Sequence, residues 1–241
     1  MKKINWMMSR VPFPDAIKIN QLEEHKTDYE TKFNGTRVNV MTIKEFGIYE
    51  EVLNSKCIDI AFGAGDPMFH LAENGNGEYI ANELDIDGCN FLEKKKKEKN
   101  ISNLKIINSE IEKVSLPKES MDFIFAFHIL EHLENPLNVL LTVKEWLKKD
   151  GRIIIVTPNV GGYHPKKFGL EKWRHAGSNH VWLPSKESLS SLVEYSGFKI
   201  EKSFTYGGFP AASGFLKKTI GNKLLKKFDL GDAVCIMAKK M

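Results

Sequence analysis

The sequence predicts an α/β fold: a doubly wound, mostly parallel sheet with helices on both faces. Three observations carry that reading. From Lys56 onward, short apolar runs alternate with helix-length polar stretches, and strand, helix, strand in repetition calls for parallel pairing with right-handed crossovers. Two of the runs, DFIFAF and RIIIVT, are apolar without alternation, as strands buried on both sides must be. The first run leads straight into Gly63-Ala64-Gly65, with a helix able to begin near Pro67, so backbone N–H groups are offered to a ligand at the turn.

Taken in chain order, residues 1–50 are of mixed polarity, with Pro12 and Pro14 and no clear strand. Helices are expected at 15–24 and 43–53, making this segment an N-terminal helical arm or a lid over a site. Strands follow at 57–62, 78–84, 105–107, 122–127 and 152–157, separated by helices at 67–73, 88–99 and 136–147. Beyond Asn159 the stretch GGYHPKKFGLEKWRHAGSNHVWLP has little periodicity and is too long for a plain connector. It marks one insertion, at about 160–184. A helix is expected over 185–196, capped by Ser185 and stopped by Gly197. Two last strands, 198–206 and 232–239, flank a second insertion at 207–231, so that 51–241 reads as one domain.

A chain of 241 residues is long enough for one domain with a sizeable core. Its 42% hydrophobic and 27% charged content is ordinary for a globular protein and argues against disorder. The formal charge is +4, with Lys94 to Lys97 in one run and Lys217, Lys218, Lys223, Lys226 and Lys227 crowding another. Such runs read as solvated faces, so neither a nucleic-acid partner nor stable membrane association is expected. The segment FLKKTIGNKLLKKF has an apolar stripe, but Lys217 and Lys227 interrupt it. Cys57, Cys89 and Cys235 have no CxxC spacing, which argues against a disulfide framework and a structural zinc site. No metal site is expected. No run of about 18 apolar residues and no signal-peptide pattern occurs, and a soluble protein of the reducing cytoplasm is the expectation. Oligomeric state has no signal in the composition.

Twenty residues past Gly65 stands Asp85, at the end of the second strand. A carboxylate there can accept hydrogen bonds from a ribose diol or cap the following helix. Together with the glycine turn it points to a nucleoside-containing ligand. The motifs in order resemble a family. CIDIAFGAGD is similar to the D-x-G-x-G-x-G turn of class I S-adenosylmethionine (SAM)-dependent methyltransferases, with Asp59, Gly63 and Gly65 in place and Ala61 where the first glycine usually stands. ELDID resembles the second-strand acid motif, SEIEKVSLPKESMDFIFAFHILEHL the stretch from an acid to a final LEH, and WLKKDGRIIIVTPN the helix, turn and fifth strand ending in TPN. The resemblance covers about 54–200, and less securely DAVCIMAKK. Within the class it is nearest to the branch of ubiquinone-biosynthesis O-methyltransferases and many small-molecule and sugar methyltransferases.

The resemblance implies a Rossmann-like sheet of seven strands with the last antiparallel, SAM as cofactor and S-adenosylhomocysteine as product. It places Gly63 and Gly65 at the methionine portion, Asp85 at the ribose, and Glu110 with the backbone of Ile111 at the adenine amine, with Asp59, Ala61 and Ile86 also among the cofactor-binding residues. His128 falls near the sulfonium. Glu110 can equally be a solvent-facing loop residue, and Ala61 is tolerated where its φ is negative. Glu131 and His132 begin the next helix, and for His132 a structural role is expected.

Methyl transfer from a sulfonium is an in-line displacement that mainly requires alignment. For a hydroxyl acceptor a histidine base is the natural assistant. His128 and His180 are the candidates; His180, in NHVWLPSKESL, can alternatively serve packing or a loop hydrogen bond. His164 and His175 are less well placed. Tyr163, Trp173 and Trp182 can wall an acceptor pocket or simply anchor the loop. The expected acceptor is a hydroxyl of a small molecule or saccharide. The alternatives are RNA or protein, or a catalytically silent partner protein, the last motivated by Ala61.

Overall fold

The computed structural model describes residues 29–33, 38–63, 67–170, 173, 180–207 and 215–241. Seven strands form one sheet: β1 (Lys56–Asp59), β2 (Glu78–Glu83), β3 (Leu104–Asn108), β4 (Met121–Phe127), β5 (Leu147–Pro158), β6 (Phe198–Tyr206) and β7 (Ala233–Lys240). Their order is β3-β2-β1-β4-β5-β7-β6, and only β7 runs antiparallel to its neighbours. The helices are α1 (Tyr29–Phe33), α2 (Val38–Phe46), α3 (Tyr49–Val52), α4 (Met68–Asn74), α5 (Ile86–Glu98), α6 (Pro136–Trp146), α7 (Tyr163–Phe168), α8 (Lys186–Tyr195) and α9 (Phe215–Lys227).

The chain winds outward from β1 to β3, then restarts at β4 on the other side of β1. The winding therefore reverses between β1 and β4, and in open α/β sheets ligands bind at such a reversal, beyond the carboxyl ends of the strands. Alternation along the strands explains the two core layers. Cys57, Phe123, Phe125, Phe127, Ile154, Val156 and Cys235 enter the layer under α2, α4 and α5. Ile58, Ile124, Ala126, Ile153, Ile155 and Val234 enter the layer under α6 and α8. Each fully buried Phe or Ile contributes about 1.5–3 kcal/mol, and the rings of Phe123, Phe125 and Phe127 stack along β4 at 6.4 and 5.5 Å.

All three cysteines are buried free thiols, and burial pushes the Cys57 and Cys235 thiols well up. Tyr79 is 1% exposed. Its hydroxyl donates to Leu53 O at 2.8 Å, and burial pushes its pKa up to about 12. A Cβ at Gly75 would fall 2.3 Å from that same carbonyl, so only glycine admits the close approach.

The strands appear where the apolar runs predicted them, with boundary differences that have local causes. β1 ends at Asp59 rather than at 62 because the Asp59 side chain turns the chain, Oδ1 accepting from Ala61 N at 3.1 Å. β5 begins at Leu147, paired with Met121, and the polar residues before Arg152 form an irregularity in the ladder. The single helix expected over 43–53 is two, because Gly47 at φ +82° breaks α2 from α3. The helix expected at 15–24 lies outside the described residues. Ser185 does cap α8, its Oγ accepting from Ser188 N at 3.2 Å, and Gly197 at φ +83° follows its end.

The described part of the leading segment is packed against the domain. Ile43, Phe46 and Val52 are core residues, Phe46 meets Phe204 at 4.9 Å, and α1 lies on α5 through Tyr29 and Phe91 at 5.8 Å. Among the described residues no helix is long and apolar enough to cross a membrane. On α9 and the residue after it, Ile220, Leu224 and Phe228 are exposed in a row.

Candidate functional site

At the β1–β2 rim the building material is backbone. Asp59 is fully buried and shapes the turn through its bond to Ala61 N. The described non-glycine residues with positive φ are Asn100, Glu119, His128 and Asp229, so Ala61 has the ordinary backbone that its methyl needs. Gly63 has φ +56°, which in an L-residue costs roughly 1–2 kcal/mol. A Cβ built there would meet nothing within 4 Å, so the turn presents an open face. Gly65 lies outside the described residues.

The Gly63 N–H donates to Glu83 Oε2 at 3.0 Å. Glu83 is the last residue of β2, and its Oε1 also accepts from Leu84 N at 2.8 Å and Asp85 N at 3.1 Å. A carboxylate offers about four acceptor positions, so one remains for a ligand. Asp85, by contrast, is the N-cap of α5: Oδ1 accepts from Asp87 N at 3.0 Å and Oδ2 from the Tyr29 hydroxyl. The Tyr29 bond, then the backbone bonds, hold the Asp85 carboxyl below its usual range. Of the two roles the sequence left open for Asp85, the cap is formed. Glu83 carried no expectation from the sequence; the helix start at Ile86 is the signal that separates strand tip from cap.

Around this tip, Leu84 and Ile86 are large apolar side chains exposed at 64% and 55%. Asn108 Nδ2 donates to the carbonyls of Glu83 and Leu84 at 3.0 and 2.8 Å, fixing the rim of β2 to β3. Glu110 is exposed, precedes the 3-10 turn Ile111–Lys113 and pairs with Lys113 Nζ at 2.8 Å. Ile111 buries its side chain in the core, 6% exposed.

The corner after β4 is built of side chains instead. His128 has φ +53°, its N–H donates to Val156 O at 2.8 Å, and its Nδ1 lies 3.3 Å from Glu131 Oε1. Glu131 is fully buried in the 3-10 turn Leu130–His132. Its carbonyl accepts from Val181 N at 2.8 Å and Trp182 N at 3.3 Å, and the Trp182 indole donates to Leu130 O. These bonds seat His180 beside the corner, Nε2 3.9 Å from Glu131 Oε1, with its ring 4.7 Å from that of His132. His128 and His180, expected separately, are thus brought together by a carboxylate that carried no such expectation.

Trp182 is 9% exposed and Trp173 3%, so Trp182 in particular anchors the loop rather than walling an open pocket. Tyr163 packs on Phe168 at 6.3 Å, and His164 Nδ1 pairs with Asp232 at 3.1 Å. Asn159 of the TPN motif is buried, its Nδ2 donating to Gly231 O at 2.8 Å and its Oδ1 accepting from Gly161 N at 3.0 Å. His175 lies outside the described residues. A separate cleft lined by Lys56, Glu78, Leu104 and Met121 opens at the amino ends of four strands, opposite to where the turns converge.

Comparison with known proteins bears on the family and the fold. The family described as "Methyltransferase domain" matches residues 47–203. Among curated relatives, the (S)-coclaurine N-methyltransferase of Thalictrum flavum subsp. glaucum is 24% identical over 119 residues, 48% of this chain and 33% of that protein. A tRNA U34 carboxymethyltransferase of Hydrogenovibrio crunogenus is 31% identical over 87 residues, 34% of this chain and 25% of that protein. The chain therefore spans a quarter to a third of these relatives' length. Among solved structures, a SAM-dependent methyltransferase from Archaeoglobus fulgidus superimposes with a TM-score of 0.64 at 21% identity, covering 88% of this chain and 98% of that one. The same fold is seen in a cyclase, SpnF, with a TM-score of 0.58 at 14% identity, covering 78% of this chain and 74% of that one.

Proposed function

The chain belongs to the methyltransferase-domain family, with the class I SAM-dependent fold, and from that premise we propose that it binds SAM in the crevice between β1, β2 and β4. The methyl group goes to a hydroxyl oxygen of a small molecule or saccharide. The observation that carries the cofactor assignment is the Gly63–Glu83 pair: an open glycine turn whose N–H is bonded to the acid at the tip of the next strand. Glu83 takes the ribose diol, in place of Asp85, which is occupied with its helix and with Tyr29. Leu84 and Ile86 offer apolar surface to the adenine, Glu110 and the Ile111 backbone its amine, and Gly63 and Gly65 the methionine portion.

When bound, SAM supplies an electrophilic methyl group. This chain's residues orient it, exclude water and remove the acceptor's proton. His128 has a side chain 40% exposed at the crevice and is the proposed proton acceptor. His180, with a side chain 7% exposed, acts behind it through Glu131. Two imidazoles at the reacting end support an oxygen acceptor, since a neutral amine needs no base. Three free cysteines support a reducing cytoplasm as the compartment.

A second reading, transfer to RNA, is supported by the likeness to the tRNA enzymes but not by a net charge of only +4. Calorimetric titration with SAM tests the premise; absence of binding at high micromolar SAM in folded protein would favour the catalytically silent reading that Ala61 motivates. Labelled SAM offered with metabolite, saccharide, RNA and protein pools tests the acceptor, and label in RNA alone would reverse the choice.

A further inference from the structure

We propose that the corner after β4 is a divalent-cation site, with Glu131, His132 and His180 as its protein ligands and a transition-metal ion of the zinc class as its occupant. The cysteine spacing gave no reason to expect a metal. Three independent features of the corner do. One ligand atom from each of the three residues lies within 4.8 Å of the other two. Two imidazoles with one carboxylate form a mixed nitrogen and oxygen set, which suits zinc, cobalt or iron better than magnesium or calcium.

The second feature is the state of Glu131. Its side chain is wholly buried, Oε1 faces His128 and His180, and Oε2 has no hydrogen-bond partner among the described residues. A buried carboxylate oxygen left this way is costly unless its charge is met, and a cation between Glu131 and the two imidazoles meets it. The third feature is preorganisation. Glu131 and His132 share one 3-10 turn, and His180 is held against it by main-chain bonds from Val181 and Trp182 to the Glu131 carbonyl.

Bonds of about 2 Å in a tetrahedral site bring ligand atoms to roughly 3.3 Å of one another, so the set tightens by side-chain rotation as the ion enters. Burial falls from Glu131 to the exposed His132, so the fourth position faces outward, as in sites that bind an exchangeable oxygen rather than closed structural ones. The cysteines take no part: all three sit in the core layer on the other face of the sheet from Leu130. A consequence rests on the methyl-transfer reading: an acceptor hydroxyl on the open position ionises more readily and passes its proton to His128. The binding of the ion does not depend on that reading.

Cobalt(II) is the probe. The full chain, stripped with chelator, is titrated with cobalt chloride while visible absorption is followed, and SAM binding is measured by calorimetry on the same preparation. One equivalent should bind, without a thiolate charge-transfer band and displaceable by zinc. Affinity should fall more than about 100-fold in His132→Ala and His180→Ala, and stay unchanged in His70→Ala. His132 is the exposed member of the set; thermal melts of both histidine variants and of the buried Glu131→Gln separate lost ligation from lost folding. No cobalt spectrum at about millimolar ion in folded protein, or wild-type affinity in both histidine variants, overturns the site. SAM binding with no cobalt binding overturns the cation alone; cobalt binding with no SAM binding overturns the methyl-transfer reading alone.

Discussion

The two sides of the crevice are made of different material. At the β1–β2 rim, side chains serve the main chain: Asp59 turns it, Glu83 collects three backbone N–H groups, and Gly63 contributes only a conformation. At the corner after β4 the relation is reversed. Main-chain bonds between Glu131 and Val181 and Trp182 serve to hold the side chains of His128, Glu131, His132 and His180 together. A rim built on backbone suits a ligand that never changes, while a corner built on side chains can be retuned for one acceptor or another. That contrast fits a family in which similar chains carry such different names.

The contrast can be broken by substitution. His180→Ala should lower turnover by about 100-fold or more while calorimetry shows SAM binding within about twofold of wild type; normal turnover would strip the corner of its role. Glu83→Ala should weaken SAM by about 30-fold, the loss of a charged acceptor being worth about 2 kcal/mol. Asp85→Ala should weaken it less than about threefold and instead cost about 1 kcal/mol of stability through the lost cap. The opposite ranking would return the ribose to Asp85.

Trp182→Phe keeps an aromatic body but leaves the Leu130 carbonyl without its indole donor. Unfolding should become easier by about 1–2 kcal/mol, with kcat falling and SAM affinity unmoved. Denaturant melts and kinetics on one sample separate these effects.

The smallest effect concerns neither side. Tyr79 has its pKa raised to about 12 from an ordinary 10, so the stability it contributes is complete below pH 10 and is lost as pH climbs toward 12. Melts from pH 9 to 12 should show a steeper alkaline decline in wild type than in Tyr79→Phe.

How much of this was legible depended on distance along the chain. The sheet was readable because each strand announces itself in a few consecutive residues, and the burial of DFIFAF and RIIIVT on both faces followed from their unbroken apolarity. Boundaries were blurred where a side chain or a glycine intervenes, as at Asp59 and Gly47. The acid proposed for the ribose was a closer matter: Glu83 and Asp85 are two positions apart, and only the place where β2 ends and α5 begins separates tip from cap. The corner was legible in parts alone. LEH and NHVW are distant in sequence, and nothing local says that the second docks on the first through the Glu131 carbonyl. Trp182 illustrates the same limit, since wall and anchor have the same composition until the indole finds Leu130.

Tyr29 is fastened to the carboxylate that starts α5, two residues beyond the acid proposed to hold the nucleoside. Whatever steadies that helix start upon ligand capture steadies α1 as well, and by thermodynamic reciprocity a firmly seated α1 improves capture. Protease resistance around Tyr29 is then a gauge of cofactor occupancy that requires no knowledge of the acceptor.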